Sequence, residues 1–201
     1  GISVREASLV PLCNERLGIN AVHVLDPTML LCPEEYTSLT KPSEKIVNHV
    51  FNYILDDSEF KRNVTKKVSD YFVLPVERGN VAEYFDRTKG TDINNCIYPS
   101  VEDWIKNISS ASFVVTDSFH GTVFAILFNK PFITIANQQR GYERFLSLLS
   151  MFGLESRLVV TDKDGEIDAL LKEKIDYRSV NDIISQKRMI SLDFLKHSLE
   201  I

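Results

Sequence analysis

The stretch Thr116-Asp117-Ser118-Phe119-His120-Gly121-Thr122 sets an imidazole in a polar corner between the apolar runs Phe113 to Val115 and Val123 to Phe128. Histidine exchanges a proton near neutral pH with little help from its surroundings, so a ligand held at this corner could gain or lose a proton in place. A helix opening near Ser118, capped by Asp117 or Ser118, would add unpaired N–H groups and the positive end of its dipole, which suits an anion. Gly121 leaves room for a ligand or a neighbouring backbone. The same residues also describe a structural histidine beside an ordinary cap.

Three cations could serve that anion. Arg5 follows the first apolar run, Ile2 to Val4, where its guanidinium could pair with a carboxylate or phosphate. A surface ion pair with Glu6 or another nearby acid is the plainer alternative. Arg140 and Arg144 follow the run Phe132 to Ile135 and could offset phosphate charge if turned toward His120, or else stay in solvent. Asp26 precedes Pro27 and reads as a turn cap, since neither a second acid nor a nucleophile stands beside it.

Other chemistries lack support. Cys13, Cys32 and Cys96, with His23, His49, His120 and His197, form no metal-ligand spacing, so no metal is expected. Wide cysteine spacing argues for a reducing compartment. A net charge of -5 without a Lys/Arg stripe argues against nucleic acid. No apolar stretch is long enough to cross a bilayer. Neither the dinucleotide glycine fingerprint nor the P-loop motif is present. Asp162, Asp164 and Glu166 form an acidic cluster that does not make an EF-hand and reads as solvated.

The corner needs a scaffold, and alternating short apolar runs with helical patterns supply one. Ala111 to Ile135 reads as strand, corner, helix and strand. Ahead of it, Ser100 caps a helix whose apolar face is Val101, Trp104, Ile105 and Ile108, with Trp104 in the core. Ile46 to Leu55 centres on a buried strand, with His49 packed or exposed within it. Ser58 to Val68 reads as a solvent-exposed helix, and Tyr71 to Pro75 as a strand. Beyond the corner, Gly141 leads into a helix over Tyr142 to Met151. A strand at Leu158 to Thr161, a short helix at Glu166 to Leu171, and one or two helices over Tyr177 to Leu199 follow. At the amino terminus, Ile2 to Val4, Ser8 to Leu17 and Ala21 to Leu25 read as strand, helix and strand. Cys32 to Glu44 resembles a connection between packed regions. This alternation implies an α/β fold with a Rossmann-like parallel sheet covered by helices.

Ordered segments along nearly the whole chain resemble the polysaccharide pyruvyl transferase family. They are Ile2-Ser3-Val4-Arg5-Glu6, Asp26-Pro27-Thr28, Val115 to Phe124, Asn129-Lys130-Pro131-Phe132 and Glu143-Arg144-Phe145. The resemblance implies a GT-B-like transferase of two Rossmann-like domains. Residues 1–40 would be the end of the N-terminal domain plus a linker, and residues 41–201 the C-terminal domain with its terminal helices. By that resemblance the start of the N-terminal domain would lie outside this sequence, part of the acceptor site would be missing, and the chain could be inactive by itself.

The implied reaction moves pyruvate from phosphoenolpyruvate onto two hydroxyls of a saccharide, free or lipid-linked, and closes a cyclic ketal in surface polysaccharide synthesis. No cofactor is implied. His120 would be the general acid or base. Arg5, Asp117, Ser118, Gly121, Arg140 and Arg144 would bind substrate. The expected location is cytoplasmic, or peripheral at a membrane. A GT-B glycosyltransferase using a nucleotide sugar, and a non-catalytic carbohydrate-binding or assembly domain, are the alternatives.

Overall fold

A computed structural model describes residues 1–40, 48–81, 90–136, 141–161 and 165–199. The chain opens with β1 (Ser3–Val4), α1 (Leu9–Leu17) and β2 (Val22–His23), and β1 pairs with β2 in parallel. Gly18 ends α1 in the left-handed conformation at φ 64, which a side chain would resist. A 3₁₀ turn at Pro27–Leu30 follows, capped by Asp26. The stretch expected to be a connection holds a short helix, α2 (Pro33–Thr37). Proline at its start lacks the N–H that would be unpaired there, and Glu35 accepts from the Cys32 N–H at 2.6 Å.

The main sheet begins with β3 (Val50–Tyr53), followed by α3 (Glu59–Phe72) and β4 (Val76–Arg78). Next come α4 (Val101–Ser110), β5 (Phe113–Thr116), α5 (Phe119–Leu127), β6 (Phe132–Ile135) and α6 (Tyr142–Met151). The chain continues with β7 (Leu158–Val159), α7 (Glu166–Lys172) and α8 (Tyr177–Leu199). Five strands pair in parallel in the order β4-β3-β5-β6-β7. Alternate residues of β5 face opposite layers. Val114 joins the core beneath α5, α6 and α8, while Phe113 and Val115 join the one beneath α3 and α7. Burial on both faces explains why β5 is apolar throughout its first three residues. This is a Rossmann-like α/β sheet between two helical layers.

Three expectations need correction. Tyr71 to Pro75 is not a strand: α3 runs on through Phe72, and Val73 stops it at φ 54, so pairing begins only at Val76. A β-branched residue rarely adopts that conformation, which is why the stop is invisible in the residue types. Nor is α3 simply solvated, because Val64, Val68, Thr65 and Lys61 are buried along one face. Val101 is 69% exposed and lies off the apolar face of α4, although Trp104 packs edge-on against Phe51, Tyr53 and Phe124 as core. His49 is buried and faces the Asn107 carbonyl oxygen at 3.0 Å.

Residues 1–40 share the main core, since Leu25 and Met29 belong to the cluster that holds Phe124 and Val180. The long terminal segment is one helix, and it fastens this region. Arg188 donates to the carbonyls of Met29 and Leu31, and the Ser191 hydroxyl accepts from the Leu25 N–H at 3.0 Å.

Candidate active site

The corner after β5 is built from local hydrogen bonds. Ser118 is the N-cap of α5, its hydroxyl accepting from the Gly121 N–H at 3.3 Å. Thr116 donates to the Tyr53 carbonyl at 2.7 Å and accepts from the Ser118 N–H at 3.0 Å. A Cβ at Gly121 would overlap Thr116 Oγ1 and come within 3.1 Å of its Cβ. Glycine is therefore needed for close packing of helix on strand, and the close neighbour is a side chain rather than a ligand or a backbone.

His120, in the first turn of α5, leaves 52% of its side chain exposed. Its ring meets Phe119 edge-on, and its Nε2 lies 4.0 Å from Asp26 Oδ2. Asp26 is almost wholly buried and receives Arg5 Nη1 at 2.5 Å on that same oxygen. Its Oδ1 accepts from the Thr28 amide at 3.0 Å and the Thr28 hydroxyl at 2.7 Å. Burial alone would raise the Asp26 pKa. The Thr28 bonds, the Arg5 bond and the field of His120 outweigh it and hold the carboxyl below its ordinary value. Asp26 is an anion at neutral pH, paired with Arg5 and facing the His120 ring.

Phe119 carries the second cation. The Arg5 guanidinium lies 5.0 Å from its ring centroid and that of Arg144 5.7 Å, with Arg144 also 5.5 Å from Phe145. Arg144 Nε is buried with no hydrogen-bond partner among the described residues. His23 Nε2 faces the Arg5 carbonyl oxygen at 3.3 Å. Burial lowers the His23 pKa against the effect of that contact, and the charge of Lys187 lowers it further.

The structure thus brings together Arg5, His120 and Arg144, all proposed from sequence. Arg140 lies outside the described residues, as do Asp162 and Asp164. Ser118 is buried and engaged as the cap. Asp117, expected to touch substrate, binds Lys61 Nζ and two backbone amides instead, and its side chain is only 5% exposed. Asp26 is the cap that its place before Pro27 implies, and it also pairs with Arg5 and approaches His120, which the residue types alone do not show. The signal was available in principle, because Arg5 and Asp26 follow the ends of two short runs that pair as parallel strands. The shared ring of Phe119 and the partner Lys61 left no signature at all.

Among the described residues no group of three or more His, Cys, Asp or Glu could hold a metal, and no helix is long and apolar enough to cross a membrane. Fold and site define an α/β protein that presents an exposed histidine among cations at a helix start, an arrangement suited to an anionic substrate. A family model described as polysaccharide pyruvyl transferase matches residues 1–139, and the chain belongs to that family. Membership makes it a transferase that moves pyruvate onto a saccharide. Comparison with curated proteins and with solved structures returned no match.

Proposed function

We propose that the pyruvyl donor is phosphoenolpyruvate and that the product is a cyclic pyruvyl ketal on two hydroxyls of a saccharide acceptor, free or lipid-linked. The observation that supports this reading is the placement of His120 4.0 Å from the Asp26 carboxylate, with Arg5 and Arg144 over the neighbouring Phe119 ring. His120 gives a proton to the methylene carbon of the enol, which leaves oxocarbenium character on the adjacent carbon. One acceptor hydroxyl adds there and loses its proton. Phosphate departs with the electrons of its C–O bond, and the second hydroxyl closes the ring as its own proton leaves. The sum is donor plus diol giving ketal plus phosphate.

The two arginines divide the anion between them. Arg5 is already partnered by Asp26, whereas the buried Nε of Arg144 has no hydrogen-bond partner among the described residues. Arg144 therefore takes the fuller share of the donor's negative charge, with Arg140 a candidate for the same duty. A charged hydrogen bond to a buried donor contributes about 1.5–3 kcal/mol. Ser118 and Gly121 serve by framing the helix start toward the donor, and Asp117 by fixing the turn before it.

The larger assembly is a GT-B-like pair of Rossmann-like domains, with residues 1–40 belonging to the first and 41–201 to the second. The enzyme works on the cytoplasmic side, where phosphoenolpyruvate is made, or peripherally at a membrane. Mass analysis of products after incubation with phosphoenolpyruvate and a panel of saccharides tests the reading. A pyruvyl ketal with release of phosphate supports it. A transferred sugar when nucleotide sugars replace phosphoenolpyruvate would assign the protein to glycosyl transfer, and acceptor binding without product would leave a binding domain.

A further inference from the structure

In a doubly wound sheet the crevice beyond the carboxyl ends of the strands, at the point where strand order reverses, is where ligands ordinarily enter. Here the reversal falls at β3, which has β4 on one side and β5 on the other. Protein groups bridge the gap between the ends of β3 and β5. Asp117 Oδ1 accepts from the Leu55 N–H at 2.6 Å, and Oδ2 accepts from the Asp56 N–H at 3.0 Å and from Lys61 Nζ at 2.6 Å. Lys61 also donates to the Asp56 carbonyl at 2.6 Å. The Lys61 and Asp117 side chains are only 10% and 5% exposed.

Neither helix needs this pair in order to start. Ser58 caps α3 and Ser118 caps α5. A buried ion pair adds little net stability, because the loss of hydration offsets the attraction, so the value of this one lies in the geometry it holds. Asp117 is separated from α5 by the cap residue alone, and His120 lies in the first turn. Any shift of the Asp117 turn is passed to the imidazole.

We propose that Lys61 is a positioning residue for pyruvyl transfer: through Asp117 it pins the turn that opens α5 and so sets where His120 stands relative to Asp26 and Arg5. This rests on His120 being the proton-transfer group. Lys61→Met keeps much of the stem and removes the charge. Two readouts follow it: steady-state rates with phosphoenolpyruvate and acceptor, and imidazole NMR, with the His120 signals identified by their loss in His120→Gln. The expected result is kcat lower by about 10- to 100-fold, as a misplacement near 1 Å would give, with the donor KM within about threefold of wild type and displaced His120 signals. Wild-type kcat with unmoved His120 signals would overturn the proposal. Should Lys61→Met not fold, Lys61→Arg keeps the charge but moves the donors. Reduced kcat at an unchanged melting temperature then supports the proposal, and wild-type kcat overturns it. A wild-type protein that forms no ketal would reject the functional reading instead, and the His120 signals alone would then decide the positional one.

Discussion

The Arg5 guanidinium and the Asp26 carboxylate meet at 2.5 Å just beyond the ends of two adjacent parallel strands, although 21 positions separate them in the chain. The pair turns a short amino-terminal strand into part of the site. Asp26 also answers to Thr28 and His120, so its removal acts on position and charge together.

Asp26→Asn is expected to destabilise the protein by about 1–3 kcal/mol at neutral pH, the cost of leaving a partly buried cation and a hydroxyl poorly matched. The folded state holds the Asp26 carboxyl below its ordinary 3.8. Its contribution is therefore complete above that value and is lost as pH falls through the lower folded value. Urea unfolding of wild type and variant across the acid range checks this. The difference between them should shrink as the pH falls.

His120→Gln should abolish most turnover while sparing the fold. The side chain is half exposed, so its replacement should change stability by no more than about 0.5 kcal/mol. Loss of a general acid or base lowers kcat by about 100- to 10,000-fold. Ketal formation measured beside a thermal melt separates the two effects.

Arg144→Met should act mainly on donor binding. With the buried Nε gone, which has no hydrogen-bond partner among the described residues, KM for phosphoenolpyruvate is expected to rise by about tenfold or more, at a stability cost of about 1 kcal/mol from lost ring contacts. Arg5→Met should in addition reproduce part of the Asp26→Asn instability. Equal effects of both arginines on KM and stability would contradict their division of labour.

Gly121→Ala places a methyl against the Thr116 side chain, which is itself held by the Tyr53 carbonyl. A loss of about 1–3 kcal/mol is expected from overpacking. Adding Thr116→Ala removes the clashing oxygen but also its two hydrogen bonds, so chemical denaturation of the double variant should show only partial recovery.

What could be read from residue types was burial taken one element at a time. The helix Tyr142–Met151, the cap at Ser100 and the strand, corner, helix and strand around His120 all follow from periodicity and capping chemistry. The end of α3 did not, because a valine rather than a glycine adopts the left-handed stop. Relationships across elements were also hidden. Lys61 and Asp117 lie 56 positions apart, and only the pairing of β3 with β5 brings their loops together. A lysine in a polar stretch reads as solvated until its partner is known. Arg5 and Arg144 were legible as types, but which of them is already neutralised depended on Asp26.

The helix α8 begins at Tyr177, well past the stretch matched by the family model, yet Arg188 and Ser191 hold the backbone on both sides of Asp26. The anion beside His120 thus hangs from a helix that lies outside the matched stretch. A substitution in this helix, far from Asp26 in the chain, is therefore expected to reach the charge beside His120 through the backbone that Arg188 and Ser191 hold.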